Sequence, residues 1–559
     1  MEQNNDINMC TSLNEYLLKS MTLHWELPAL TDFNGTSYQY KDVARKITKL
    51  HIIFDRIGLK PGDKIAICGR NSAQWAVAFI GAVTYGAVAV PILNEFKPDN
   101  IHHLITHSES KLLFVDNSIW ENLDPDSLPT LIGALSMHDY SLALSRSGAL
   151  TDVRARLNEY FGRKFPERFT SADLVVYADK PDELCMINYT SGSTGFSKGV
   201  MLSYRSIWSN VQFTIDDLKF LKAGDGLVNM LPMAHMYGLV VELLHPFVKG
   251  CHMHFLTRIP SPRVIMEAFA QVHPKLIVSV PLIIEKIVKT KVFPLLDKPL
   301  MKILMHLPFV DDRLLARIKQ QLTITFGGEL VEMIIGGAGL NKDVEEFLRR
   351  IDFPFTVGYG MTECGPLISY APWTEARPGS CGRVVTRMKA RVDSPDGTSI
   401  PGVIWVKGDN VMQGYYKNPE ATAEAISSDG WLNTGDIGVI DSDNFIYLRG
   451  RDKNMILGPS GQNIYPEEIE QKLNNMPFVS ESVVISDGGK LVALIYPDYD
   501  LLAGEGHPAE ETEQIMNDNI LQLNKELPAY SQLARVRLMS EEFEKTPKRS
   551  IKRYLYQHG

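Results

Sequence analysis

The chain has 559 residues, 45% of them hydrophobic and 22% charged, with 57 Lys and Arg against 66 Asp and Glu for a net charge of −9. That length calls for at least two domains, because single cores stop growing at roughly 250–300 residues. The composition is that of a globular protein, and the acidic balance speaks against a nucleic-acid binder, which needs a basic surface to displace counterions.

The N-terminal string MEQNNDINMC has neither a basic nor an apolar region of the secretory kind. A helical pattern at 40–57 leads through the turn GLKPGDK to a strand at 65–68. Residues 71–94 carry no charge, yet Gly86 and Pro91 break the run and Asn71, Ser72 and Gln74 open it. The expectation is a buried helix over 73–85 and a strand over 87–91, not a membrane span. Apolar runs at 112–115, 184–188 and 275–280 read as buried parallel strands with helices between them. From 381 to 416 short strands and turns suggest a small β-rich subdomain. Beyond about 450 come a glycine-rich turn, an acidic helix start, strands at 482–486 and 490–496, a helix at 510–526 and a basic tail. Cysteines 10, 68, 185, 251, 364 and 381 form no CxxC pair, so a zinc site or disulfide framework is not expected and a reducing cytosol is the simplest home.

The segment NYTSGSTGFSKGV (188–200) follows a predicted strand. Gly192, Gly195 and Gly199 let the backbone approach an anion, Thr190, Ser191, Ser193 and Thr194 offer hydroxyl donors, and Lys198 adds positive charge. A solvated Ser/Gly loop is the plainer alternative. The P-loop pattern GxxxxGK[ST] fails, because Ser197 replaces its last glycine and Gly199 follows the lysine.

TSGSTGxxKG closely resembles the signature of the adenylate-forming superfamily of acyl-CoA synthetases, luciferases and adenylation domains. Phe196–Ser197 stands where many members carry a residue and a proline. The resemblance extends over nearly the whole chain. GYGMTECGP (358–366) resembles the segment that closes over the nucleotide. It implies Tyr359 stacking on adenine, flanked by Gly360 and Met361, Thr362 bonding the α-phosphate, and Glu363 ligating Mg²⁺, a hard cation that prefers carboxylate oxygen. GGAGL (336–340) resembles the stretch whose backbone lines adenine, implicating Gly337, Ala338 and Gly339. GWLNTGDIG (430–438) implies that Asp436 accepts hydrogen bonds from the ribose hydroxyls, with Arg451 as a second contact.

In LPMAHMYGL (231–239), His235 is a core histidine on its own terms, whereas the resemblance puts it near the acyl carboxylate. GPSGQNIYPEEIE (458–470) reads as a loop entering a helix, where Pro466 and the acids suit the first turn. Its glycine loop, with Gly461, resembles the part that faces coenzyme A. Lys453 takes the family's hinge position, which implies a C-terminal domain that rotates between two half-reactions. The family's lysine near the C-terminus is displaced. In EKTPKRSIKRYLY, Ser550 falls at its place, with Lys548 the preferred substitute, Lys552 the other candidate and Arg549 less so. A solvated or lipid-facing basic tail is the alternative reading.

The expected fold is α/β. A large N-terminal domain (1–450) of two layered α/β subdomains and a small β-barrel-like subdomain precedes a small mobile α+β domain (451–559). The expected reaction is ATP- and Mg²⁺-dependent adenylation of a medium- or long-chain fatty acid, then transfer to coenzyme A. A fatty acyl-AMP ligase loading a carrier protein and a non-catalytic lipid-binding relative are the competing readings. No nucleic-acid partner and no transmembrane span are expected; any membrane contact would be peripheral to a cytoplasmic protein.

Overall fold

The computed structural model describes residues 10–190, 197–257, 261–296, 298–304, 310–458, 462–546 and 551–557. An eight-stranded mixed sheet forms the first layer. Its centre pairs β1 (Lys64–Cys68) in parallel with β2 (Val88–Ile92) and β3 (Leu112–Val115). The uncharged stretch becomes helix α1 (Ala73–Tyr85), capped by Ser72 and ended by Gly86 at φ +86°. All its residues but Tyr85 are buried, so its apolar surround meets protein and not lipid. Among the described residues no helix is long and apolar enough to cross a membrane. Strand β2 runs through Pro91, which has no N–H to give. On the side of β4 (Leu184–Thr190) its pairing is confined to Ala89 and Met186.

Strand β4 folds back on β5 (Lys198–Ser203), and Thr190 faces Lys198 across the hairpin mouth. Of the expected phosphate-loop residues, Ser191, Gly192, Ser193, Thr194 and Gly195 lie outside the described residues. So do Gly461 and Lys548.

A second layered unit has the parallel sheet β6 (Leu276–Ser279), β7 (Glu332–Ile335) and β8 (Phe355–Val357). Helix α2 (Pro262–Val272) leads into β6, and helix α3 (Val310–Thr325) leads into β7. This unit has its own core around Phe269, Phe326, Phe353 and Phe355. The β-rich region is an antiparallel sheet of β9 (Met388–Asp393), β10 (Gly402–Gly408), β11 (Leu432–Ile440) and β12 (Ile446–Arg451). A bridge between Arg383 and Phe445 stitches it to a neighbouring three-stranded sheet.

From Ile456 onward one core forms between helix α4 (Pro466–Leu473), helix α5 (Thr512–Asn524) and the three-stranded sheet β13 (Val479–Asp487), β14 (Lys490–Pro497) and β15 (Leu533–Leu538), and a second forms between that sheet and the tail around Phe543. The architecture is α/β with a small α+β C-terminal unit. The tail returns on itself through a bridge between Lys545 and Ile551, and Tyr556 packs edge-on against Phe543.

Candidate active site

A cavity of about 2300 Å³ opens where these units meet, lined at one end by Thr190, Lys198, Thr362, Glu363, Arg451 and Lys453. Drug-sized sites span about 300–1,000 Å³, so this one has room for more than one substrate.

The hairpin mouth supplies the first wall. Antiparallel pairing fixes Lys198 opposite Thr190, whose hydroxyl donates to the Lys198 carbonyl at 3.4 Å. The Lys198 ammonium lies 4.9 Å from the centre of the Tyr415 ring. The Tyr415 hydroxyl in turn donates to Glu363 Oε1 at 3.0 Å. One tyrosine therefore joins the cation of one segment to the carboxylate of another. Nothing in the string VMQGYY marks Tyr415 for that role, since its two partners lie 52 and more residues away in sequence and meet only in the fold.

Thr362 and Glu363 open a short 3₁₀ turn, Thr362–Cys364. Gly360 before it runs so close to Pro366 that an added Cβ would lie 2.2 Å from a carbonyl oxygen. Only glycine fits there. Gly360 and Met361 both line the cavity, as does Gly337 at φ +86°, while Ala338 and Gly339 are exposed just beyond it.

Of the ribose candidates, Asp436 is set one layer deeper than its resemblance suggests, as is Tyr359. Asp436 is 5% exposed, and Tyr359 is buried beside it. The Tyr359 hydroxyl donates to Asp436 Oδ2 at 2.6 Å, and Arg451 Nε meets Oδ1 at 2.7 Å. Asp436 and Arg451 are cross-strand partners on β11 and β12, so sheet register builds this pair. Burial raises the Asp436 carboxyl above its ordinary value, with Arg451 and the Tyr359 hydroxyl pulling the other way. Tyr359 and Asp436 thus form the wall behind the cavity, and Arg451 and Lys453 reach its surface. Removal from bulk water, with Arg451 and Lys198 nearby, lowers the Lys453 ammonium from its usual range.

His235 lines the cavity in a segment braced from three sides. Asn71 exchanges hydrogen bonds with Leu231 and Met233, and Asn188 donates to the Ala234 carbonyl at 2.9 Å. The buried Glu242 carboxylate accepts the Met230 and Leu231 N–H groups. His235 Nδ1 accepts the Tyr237 N–H at 3.3 Å, so a neutral ring carries its proton on Nε2. Tyr237 lies across Gly336, where an added Cβ would sit 3.1 Å from the ring.

The C-terminal unit brings Thr546, Ile551, Lys552 and Arg553 to the same cavity. Lys552 Nζ is paired with Glu544 at 3.0 Å, which raises its ammonium from the usual value. Arg553 is paired with the buried Glu470 of α4, whose other oxygen accepts the Val484 N–H at 2.6 Å. The tail is thereby held against its own domain while one edge faces the site.

Among the described residues no group of three or more His, Cys, Asp and Glu could cage a metal. A lone carboxylate such as Glu363 suits Mg²⁺, which keeps several waters and is bound through one or two carboxylates plus substrate phosphates.

The AMP-binding enzyme family matches residues 19–416, and the AMP-binding enzyme C-terminal domain matches residues 453–557. The chain belongs to the AMP-binding enzyme family. At that coarse level it is an ATP-using acyl-CoA ligase. It is 29% identical over 499 residues to 4-coumarate–CoA ligase 2 of Oryza sativa, covering 86% of this chain and 81% of the relative. It is 25% identical over 521 residues to the human long-chain-fatty-acid–CoA ligase ACSBG2, covering 87% and 76%. ATP-bound MatB from Rhodopseudomonas palustris shares the fold, with a TM-score of 0.75, 24% identity and 98% of each chain covered.

Proposed function

We propose that this member of the family activates a medium- or long-chain fatty acid and transfers it to coenzyme A. The observation that supports the substrate class is the apolar groove into which the cavity continues. One face of α3 lines it with Leu314, Ile318 and Leu322, and Phe326 follows. These positions repeat every fourth residue, so the line from Leu314 to Phe326 is about 18 Å long at 1.5 Å per residue. An extended chain advances about 1.2 Å per bond, so the groove takes roughly fifteen bonds of a straight chain. A coumarate-sized acid would leave most of it unfilled.

Lys198 and Thr190 hold the phosphates at the hairpin mouth, with the loop residues 191–195 completing the cradle. Thr362 bonds the α-phosphate. Glu363 holds Mg²⁺, which supplies positive charge beside the phosphates when bound. Asp436 and Arg451 hold the ribose, the Tyr359 ring and the Gly337–Gly339 backbone enclose adenine, and His235 stands by the substrate carboxyl. A carboxylate oxygen attacks the α-phosphorus, and pyrophosphate leaves. The C-terminal domain then turns about Lys453, beyond the end of β12 at Arg451, and presents the Gly461 loop. The thiol sulfur of coenzyme A attacks the acyl carbon, and AMP leaves. Lys548 serves the first step: Lys552 is already paired with Glu544, which favours the residue four positions earlier.

Pyrophosphate release with Mg-ATP, across straight-chain acids and aryl acids including 4-coumarate, tests the reading. Turnover of long straight-chain acids at least tenfold above aryl acids is expected. Preference for an aryl acid would move the chain to that substrate class, and thioester formed on a carrier protein but not on coenzyme A would change the acceptor.

A further inference from the structure

The groove has a direction. Strands β6 and β7 are parallel, and Val280 and Gly337, just past their C-terminal ends, line the cavity near the nucleotide end. Helices α2 and α3 each run back into these strands, so their C-terminal ends lie at the opposite edge of the sheet. At that edge the Phe269 and Phe326 rings meet, 5.8 Å between centres, and Phe326 also meets Phe353 at 5.8 Å. Gly327, at φ +96°, follows at once. A Cβ there would lie 2.6 Å from the Phe269 carbonyl oxygen and 2.9 Å from Pro274, so backbone closes on backbone behind the rings. Both phenylalanines are 1% exposed and both line the cavity. Arg317, Gln321 and Thr325, next to the apolar line on α3, also line the cavity, and Arg317 and Gln321 are exposed along its edge. The apolar line Leu314, Ile318, Leu322, Phe326 thus runs from the nucleotide end to a closed end.

We propose that α3 is the ruler for acyl-chain length and that Phe326, set against Phe269, is its stop. This rests on the fatty-acid reading above. Each step along the line is four residues, about 6 Å, which a straight chain covers in about five bonds. A bulky side chain at Leu322 therefore shortens the longest acid accepted by about five carbons, and one at Ile318 by about ten, since each fills a further step of the groove. Shrinking Phe326 moves the limit the other way.

The test is pyrophosphate release on even-numbered saturated acids from hexanoate to icosanoate, for the full chain and for Leu322→Trp, Ile318→Trp and Phe326→Leu. Leu322 and Ile318 border open space, so tryptophan fills groove volume, and thermal melting reports whether each variant is folded. Phe326→Leu is a small change that keeps the ruler testable if a tryptophan variant does not fold. The expected result is an ordered series of limits: Ile318→Trp shortest, Leu322→Trp next, the unmodified chain longer, Phe326→Leu longest. At the old limit, turnover should fall at least tenfold in Leu322→Trp. Limits that coincide in folded Leu322→Trp and Ile318→Trp, or a limit that shortens in Phe326→Leu, overturn the ruler while straight-chain turnover by the unmodified chain leaves the fatty-acid reading intact. Turnover of aryl acids alone by the unmodified chain overturns both.

Discussion

Asp436 offers the sharpest test of the nucleotide site, because its two oxygens are already engaged. In the present arrangement Tyr359 occupies one at 2.6 Å and Arg451 the other at 2.7 Å. The substitution Asp436→Asn keeps the shape and removes the charge. Hydrogen bonds to a charged group contribute about 1.5–3 kcal/mol and neutral ones about 0.5–1.5, so each ribose bond weakens by about 1 kcal/mol or somewhat more. Two such bonds give about 2–3 kcal/mol, or about a 30- to 150-fold rise in KM for ATP. The maximal rate should change little, since the 2′ and 3′ hydroxyls lie across the ribose from its 5′ link to the α-phosphorus. Folding stability should change little as well. Burying a carboxylate is costly, and the Arg451 side chain, 48% exposed, can turn to water when its partner becomes neutral. The assay is steady-state pyrophosphate release with ATP and with 2′,3′-dideoxy-ATP, in both proteins. If Asp436 grips the ribose, the KM ratio between variant and parent should collapse toward one with the dideoxy nucleotide. An equal ratio with both nucleotides would refute the reasoning and leave Asp436 as a brace for Tyr359 and Arg451.

Lowering the pH should raise KM for ATP earlier than an ordinary aspartate would allow. Burial favours the protonated Asp436, so the proton competes with the ribose above the usual carboxylate value; this part of the pH profile should vanish in Asp436→Asn. Glu363→Gln should depress adenylation by about 10²–10³-fold, as expected when one charge-stabilising group is lost, and shift the Mg²⁺ requirement upward; an unchanged Mg²⁺ titration would remove Glu363 from the metal. Lys453 lies in the short 3₁₀ turn Asp452–Asn454, a place where proline is tolerated. Lys453→Pro should keep pyrophosphate release from ATP and slow thioester formation from preformed acyl-AMP, and equal loss in both half-reactions would argue against a hinge there. Lys548→Ala should show the opposite split, with adenylation lost and thioester formation kept.

Local physics made much of the molecule legible without coordinates. Helix α1 could be recognised as buried from an uncharged run opened by polar Asn71, Ser72 and Gln74 and broken by Gly86 and Pro91. Strands β1 and β3 could be recognised from short apolar runs between turns. The motif residues Lys198, Thr362, Glu363 and Arg451 converge on one cavity, as a chain that must bind a polyphosphate requires of glycine loops, hydroxyls and a carboxylate. The helix and strands depend on neighbours in sequence, so composition and spacing carry them; the site roles of Thr362, Glu363 and Arg451 are implied by the resemblance to the adenylate-forming signature.

Tertiary structure decided what depends on distant partners. Tyr415 matters because a hairpin and a 3₁₀ turn bring Lys198 and Glu363 to the same ring. Asp436 is engaged rather than open because β11 and β12 pair it with Arg451 and Tyr359 closes over its other oxygen. The groove exists only because α2 and α3 pack across a parallel sheet, which turns Leu314, Ile318, Leu322 and Phe326 toward common space. A helical apolar period in sequence looks the same whether it lines a core or a channel. Only the facing elements determine which of the two it becomes.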